Sequence, residues 1–178
     1  MRPVIIGIGG SHSGAGKTSV ATLILKSFHE WGAIKYTKTS LYASIVDDLA
    51  VISEEGKDTK KFLDAGAGGV IWVKSPYSEL REILPVAVGM LAHLEGIIIE
   101  GNSPIEIIQP DVVIFVSGSE EKTKKSAEKI LQVADIVIFG SLKPPETPRH
   151  AILFERNKSE ELIQYLSALV KNFRKNIE

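Results

Sequence analysis

The chain contains no cysteine. Disulfides, thiolate metal sites and a cysteine nucleophile are therefore excluded. No apolar run approaches the roughly 20 residues that a membrane-spanning helix needs. Met1-Arg2-Pro3-Val4 leads into the first apolar segment without a signal-peptide pattern. The expectation is a cytoplasmic protein that engages no membrane. Neither sign of charge is in excess. The 21 Lys and Arg stand against 22 Asp and Glu, a formal net charge of −1, so no global field draws the chain to nucleic acid. Arginine is scarce, confined to Arg2, Arg81, Arg149, Arg156 and Arg174. Only Arg149 falls in a mobile-looking loop, which weakens the case for an arginine-bearing lid over phosphates. His29 and His93 have no partners at metal-ligand spacing, and no G-x-S-x-G elbow occurs. With no internal repeat and no linker, residues 1–178 read as a single domain long enough to bury a core.

What is present begins with an apolar run, Val4–Ile8, followed by Gly9-Gly10-Ser11-His12-Ser13-Gly14-Ala15-Gly16-Lys17-Thr18. Ser19–Lys26 then reads as a helix. Strand, glycine loop and helix in that order are the context of a phosphate-binding P-loop. Gly14 and Gly16 let the backbone curl so that successive N–H groups face one anion. Thr18 and Ser19 open the helix, whose N-terminus is partly positive. Lys17 reaches the β- and γ-phosphates, and the Thr18 hydroxyl is placed to ligate Mg²⁺. Ser11, His12, Ser13 and Ala15 complete the nucleotide-binding run. Ser11 stands where the motif has its first glycine, with Gly10 one residue earlier.

The rest alternates β and α. The first helix is expected over Gly16–Trp31, stopped by Gly32, and a strand over Ala33–Tyr36. Thr37–Glu55 reads as irregular, with strand-like pieces at Leu41–Val46 and Leu49–Ile52 and room for a hairpin. A short helix follows at Asp58–Ala65 and a strand at Val70–Val73. Ser75-Pro76 starts a helix to about Leu94 that Pro85 should kink or split. Gly96–Glu100, Val112–Val116 and Asp135–Phe139 have the look of buried parallel strands. Glu120–Val133 is a helix, Leu142–His150 a proline-rich loop and Ile152–Phe154 a last strand. Ser159 caps a final helix with its stripe at Leu162, Leu166, Leu169, Val170 and Phe173. The fold class is α/β, a three-layer doubly wound, mostly parallel sheet of the P-loop NTPase type.

Glu100 closes an apolar strand downstream of the P-loop, where a carboxylate can orient the hydration shell of Mg²⁺ or an attacking water. Asp58 is the second candidate acid for metal or acceptor, with Asp47 and Asp48 behind it. Asp58 reads equally as the start of a helix with solvated lysines around it. Asn157-Lys158-Ser159-Glu160 imitates the N-K-x-D element with which many GTPases read guanine. Asn157, Lys158 and Glu160 are accordingly candidate base-binding residues, Glu160 doubling as a helix-start acid.

In several ordered segments the chain resembles the molybdopterin-guanine dinucleotide biosynthesis protein B family. These are Ser11–Thr18, Ile34-Lys35-Tyr36, Gly56-Lys57-Asp58-Thr59 with Ala65-Gly66-Ala67, and Ile99-Glu100-Gly101. Tyr36 stands where the family has His, and Asn102-Ser103 follows Glu100-Gly101 where the family has an aromatic and a lysine. The resemblance implies a GTP-binding protein, often a homodimer, that assists the enzyme attaching GMP to molybdopterin. The resulting expectation is Mg²⁺-dependent binding and slow hydrolysis of a purine nucleoside triphosphate, GTP before ATP. The rivals are an ATP-using small-molecule kinase or ligase and a nucleotide-gated adaptor with negligible turnover.

Overall fold

A computed structural model describes residues 2–118, 125–144 and 146–177. Strand β1 (Val4–Gly10) is followed by helix α1 (Lys17–Ser27) and β2 (Trp31–Lys38). Then come β3 (Ser44–Val46), α2 (Leu49–Ile52), α3 (Asp58–Asp64), β4 (Val70–Ser75) and α4 (Tyr77–Met90). The second half holds β5 (Gly96–Glu100), α5 (Asn102–Ile108), β6 (Val112–Val116) and α6 (Lys125–Gln132). β7 (Ile136–Phe139), β8 (Ile152–Glu155) and α7 (Ser159–Ile177) close the chain. Residues 120–124 of the helix expected from Glu120, and Pro145 of the proline-rich loop, lie outside the described residues.

Among the described residues eight strands form one sheet in the order β3-β4-β2-β5-β1-β6-β7-β8. All neighbours pair parallel except β3, which lies antiparallel on the edge of β4. The central strands are apolar on both faces because helices cover both. On one face α1, α3 and α7 set Ile24, Phe62, Leu166 and Val170 against Ile6 and Ile8. On the other, α4 packs Leu80 and Leu84 on Ile34, Ile71 and Ile97, while α5 and α6 bring Ile105 and Ile130 to Val113 and Phe115. The expected three-layer architecture is the observed one.

Several local expectations are corrected. α1 ends at Ser27, and Trp31 and Gly32 belong to β2. Burial decides this: Trp31 is sequestered in the core, its ring 5.0 Å from that of Phe28, and Glu30 makes the turn with φ 57. Leu49–Ile52 is a helix, capped by the Asp48 carboxylate accepting from Ala50 N at 2.9 Å. There is no hairpin over 37–55, because β3 pairs with β4 instead. α4 runs unbroken through Pro85, which is exposed, on the side where water can take the Arg81 carbonyl that a proline cannot satisfy. α5 was not expected. Pro104 sits in its first turn, which tolerates proline.

Candidate functional site

Because the strands run parallel, the ends of β1, β2, β5, β6 and β8 gather on one edge, where ligands of such sheets bind. The loop from β1 to α1 curls there through Gly14 at φ 85 and Gly16 at φ 101, conformations costly for residues with a side chain. Ser11 is buried, its hydroxyl accepting from Gly118 N at 2.8 Å while its own N–H donates to Val116 O at 3.1 Å. A serine in place of the motif's first glycine thus ties the loop to the end of β6. The Lys17 ammonium donates to His12 O across the loop at 2.8 Å. His12 Nδ1 lies 2.6 Å from Ser13 O, and Ser13 is exposed. Ala15 is buried, and Ser19 is exposed on the first turn of α1.

Beside this loop lies a cavity of about 740 Å³. Its P-loop wall faces a second wall made by the end of β2, the start of α3 and the β5–α5 corner. Glu100, only 2% exposed, sits between the walls. One of its oxygens accepts from the Thr18 hydroxyl at 3.1 Å and the other from the Lys35 ammonium at 2.7 Å. Register explains the meeting, since Glu100 pairs with Ile8 on one side and with Lys35 on the other. Lys35 also donates to Asp58 at 2.7 Å, and Lys61 reaches the other Asp58 oxygen at 3.0 Å. Asp58 is the first residue of α3 but makes no side-chain cap, so its carboxylate is committed to the two lysines.

Burial lowers the affinity of Lys35 for its proton, yet the charge of Glu100 and the hydrogen bonds to Asp58 and Glu100 outweigh it. Its pKa therefore stands above the ordinary lysine value. Burial likewise works against the charged form of Asp58, and hydrogen bonds from Lys35 and Lys61 reverse the balance and hold it below the usual carboxylate range.

The residues fit a hard divalent cation that arrives with phosphates. Thr18 and Glu100 present only oxygen donors, and no cage of three or more acidic or imidazole side chains exists among the described residues. Mg²⁺ needs no such cage, since it takes one or two protein oxygens and completes its shell with water and phosphate. Asp58 stands one ammonium away from Glu100 and not against Thr18.

Two further residues belong to this edge and were not expected. Asn102 accepts from Gly10 N at 2.9 Å and donates to Gly10 O at 3.1 Å, fixing α5 to the base of the P-loop. Arg156, after β8, donates to Ala15 O at 2.7 Å and to Ser117 O at 3.0 Å. It helps to line a second cavity, about 250 Å³, together with Gly14, Ser141 and Leu142. Their sequence signal is position alone: both follow the end of a strand. Asn157, Lys158 and Glu160 come directly after Arg156 and are exposed, and Lys158 pairs with Glu161 at 2.8 Å. None of the three lines either cavity.

Comparison with known proteins is informative at the level of structure. No family model matches the chain, and no curated protein does. HypB from Helicobacter pylori, solved in complex with nickel, superposes with a TM-score of 0.58 at 16% identity, over 98% of this chain and 88% of that one. The chain has the P-loop NTPase fold. A plasmid partition protein from Borrelia burgdorferi aligns at TM-score 0.46 and 15% identity, over 98% and 99% of the two chains. A ParA family ATPase from Chlorobium tepidum aligns at 0.44 and 13%, over 96% and 91%. Among the described residues, no helix of this P-loop protein is long and apolar enough to cross a membrane.

Proposed function

We propose that the protein binds a purine nucleoside triphosphate with Mg²⁺, GTP in first place, and hydrolyses it slowly. The observation that carries this reading is the contact of the P-loop hydroxyl of Thr18 with the buried carboxylate of Glu100. It supports the reading because the P-loop and a carboxylate able to orient a cation line one cavity. In this reading the N–H groups of residues 13–18 hold the phosphates, and Lys17 leaves His12 O for the β- and γ-oxygens. Thr18 and Glu100 would hold the cation, which would supply neutralisation of the triphosphate's charge. Glu100 orients the water that attacks the γ-phosphorus while the bond to the β-bridging oxygen breaks. Turnover is slow because no arginine or glutamine lines the 740 Å³ cavity among the described residues.

The purine sits over the second cavity, against Arg156 and Leu142. The preference for GTP rests on the likeness of Asn157-Lys158-Ser159-Glu160 to the guanine-reading N-K-x-D element, a run that begins directly after Arg156 although its side chains line neither cavity. The resemblance of four segments to the molybdopterin-guanine dinucleotide biosynthesis protein B family is what supports a role beside the enzyme that attaches GMP to molybdopterin, in a homodimer. The test is thermal melting with GTP, ATP and XTP, each with Mg²⁺ or with EDTA. GTP–Mg²⁺ is expected to give the largest upward shift, since binding to the native state alone stabilises it. Lys17→Ala should abolish that shift while melting cooperatively. Equal shifts for the variant and its parent, or no shift with any nucleotide, refute the reading.

A further inference from the structure

Phosphoryl transfer needs positive charge on the γ-phosphate beyond what the P-loop lysine and the metal supply, and an arginine commonly brings it. In this cavity the cationic groups are Lys17, Lys35, Lys38 and Lys61. Lys38 and Lys61 are exposed, at the rim. Lys35 differs from both. Its side chain is 18% exposed and its ammonium is clasped at 2.7 Å by Glu100 and at 2.7 Å by Asp58. The same Glu100 carboxylate holds the Thr18 hydroxyl on its other oxygen. The ammonium is thus fixed one carboxylate away from the hydroxyl that faces the metal position.

We propose that Lys35 is the chain's own γ-phosphate cation, held between Glu100 and Asp58 until a triphosphate arrives and then transferred onto its γ-oxygens. The inference rests on the nucleotide-binding reading above. Its physical basis is an exchange of partners. Without nucleotide, Lys35 and Lys61 balance Glu100 and Asp58 and the wall is neutral. With a cation at Thr18 and Glu100, the Glu100 carboxylate would direct its negative charge to that ion and away from Lys35. A second cation beside the same carboxylate is then repelled, and the γ-phosphate offers it a doubly charged partner. The four-carbon stem of lysine allows that movement without moving β2. A diphosphate has no γ-oxygens, so Lys35 stays on its carboxylates. The exchange therefore distinguishes triphosphate from diphosphate. It also frees Asp58, leaving the first turn of α3 with Lys61 as its ion-pair partner.

Two measurements test this. In the first, titration calorimetry gives the affinities of a nonhydrolysable triphosphate analogue and of the diphosphate, each with Mg²⁺, for the parent and for Lys35→Met. The parent should prefer the triphosphate by about tenfold or more, the scale of one charge-assisted contact. In Lys35→Met that preference should collapse while diphosphate affinity holds, and hydrolysis should fall by about a hundredfold. An unchanged triphosphate preference in Lys35→Met overturns the proposal. In the second, amide hydrogen exchange over Asp58–Asp64 is compared in the parent with the two ligands. Faster exchange with the triphosphate analogue is expected, and equal exchange overturns the proposal. The second measurement needs no variant, so it decides the matter if Lys35→Met does not fold. A parent that binds neither ligand refutes the nucleotide reading instead, and is told apart by its flat titrations.

Discussion

Glu100→Gln is the perturbation whose consequences follow most directly from the geometry. The glutamine keeps the shape but has one acceptor oxygen and one amide NH₂ where the carboxylate offers two acceptors. Its oxygen must go to the Lys35 ammonium, which has no other way to be satisfied on that side. Its NH₂ then faces Thr18, whose hydroxyl turns and accepts. Both bonds survive, but the charge at the centre is gone. A hydrogen bond to a charged group contributes roughly 1.5–3 kcal/mol and a neutral one roughly 0.5–1.5, so the loss is about 1–2 kcal/mol. Replacing a whole buried ion pair can be neutral, but here the ammonium stays behind and the sign is destabilising. In a domain of this size each kcal/mol lowers the melting temperature by roughly 2–4 °C. A fall of roughly 2–8 °C is therefore expected in nucleotide-free protein. Hydrolysis should drop about a hundredfold or more, while nucleotide affinity measured in EDTA changes little, because the backbone cradle is untouched. Scanning calorimetry and single-turnover phosphate release read the two effects. Parental hydrolysis together with parental stability would show that Glu100 is neither partner to Lys35 nor part of the phosphate site.

Three more outcomes are expected. Asp58 and Asp111, the latter held by Arg2 and by Ile5 N, both have depressed pKa values; their contribution is present above the unfolded carboxylate pKa of about 3.9 and is lost as pH falls through the folded values. Lys35 is raised, so its contribution is complete below the unfolded value of about 10.4 and disappears as pH rises through the folded one. Melting temperature should accordingly be level between about pH 5 and 9 as far as these groups act, and a midpoint of loss near neutrality would contradict the assignment. Gly96→Ala would place a Cβ 2.2 Å from the Trp31 ring; such overpacking costs about 1–3 kcal/mol or more, and urea unfolding with an unchanged midpoint would refute the contact. Thr18→Ala should weaken nucleotide binding far more in Mg²⁺ than in EDTA, and an equal loss in both would mean that the hydroxyl serves the loop and not the cation.

The sheet was legible because its central strands are runs of apolar residues buried on both faces, as Gly96–Glu100 and Val112–Val116 are. The P-loop was legible because positive-φ glycines, a lysine and a hydroxyl must fall at fixed spacing to surround an anion. What escaped was whatever depends on partners distant in sequence. Trp31 looked like the end of a helix, since nothing local says that its ring will lie over the backbone of Gly96. Pro85 looked like a break, since sequence does not say which face of the helix it will occupy. α5 is seven residues long, too short for periodicity to announce it.

Lys35 is the instructive omission. In one dimension it is a polar residue in a short strand, and alternation assigns it to solvent. Only the parallel register of β2 with β5 sets it beside Glu100, and only the placement of α3 brings Asp58 to its other side. A half-buried lysine between two acids has no local signature, because the strand, the acid and the helix that make it are separated by 23 and 65 positions. The physical constraint that could have exposed it is charge. A carboxylate on a buried central strand must have a cation near it, and Lys17 was already assigned to phosphate. Asking which other lysine stands at the register position of Glu100 on a neighbouring parallel strand leads to Lys35. Acids at the ends of buried strands are thus better read as half of a pair, with the search directed at the cation that completes it.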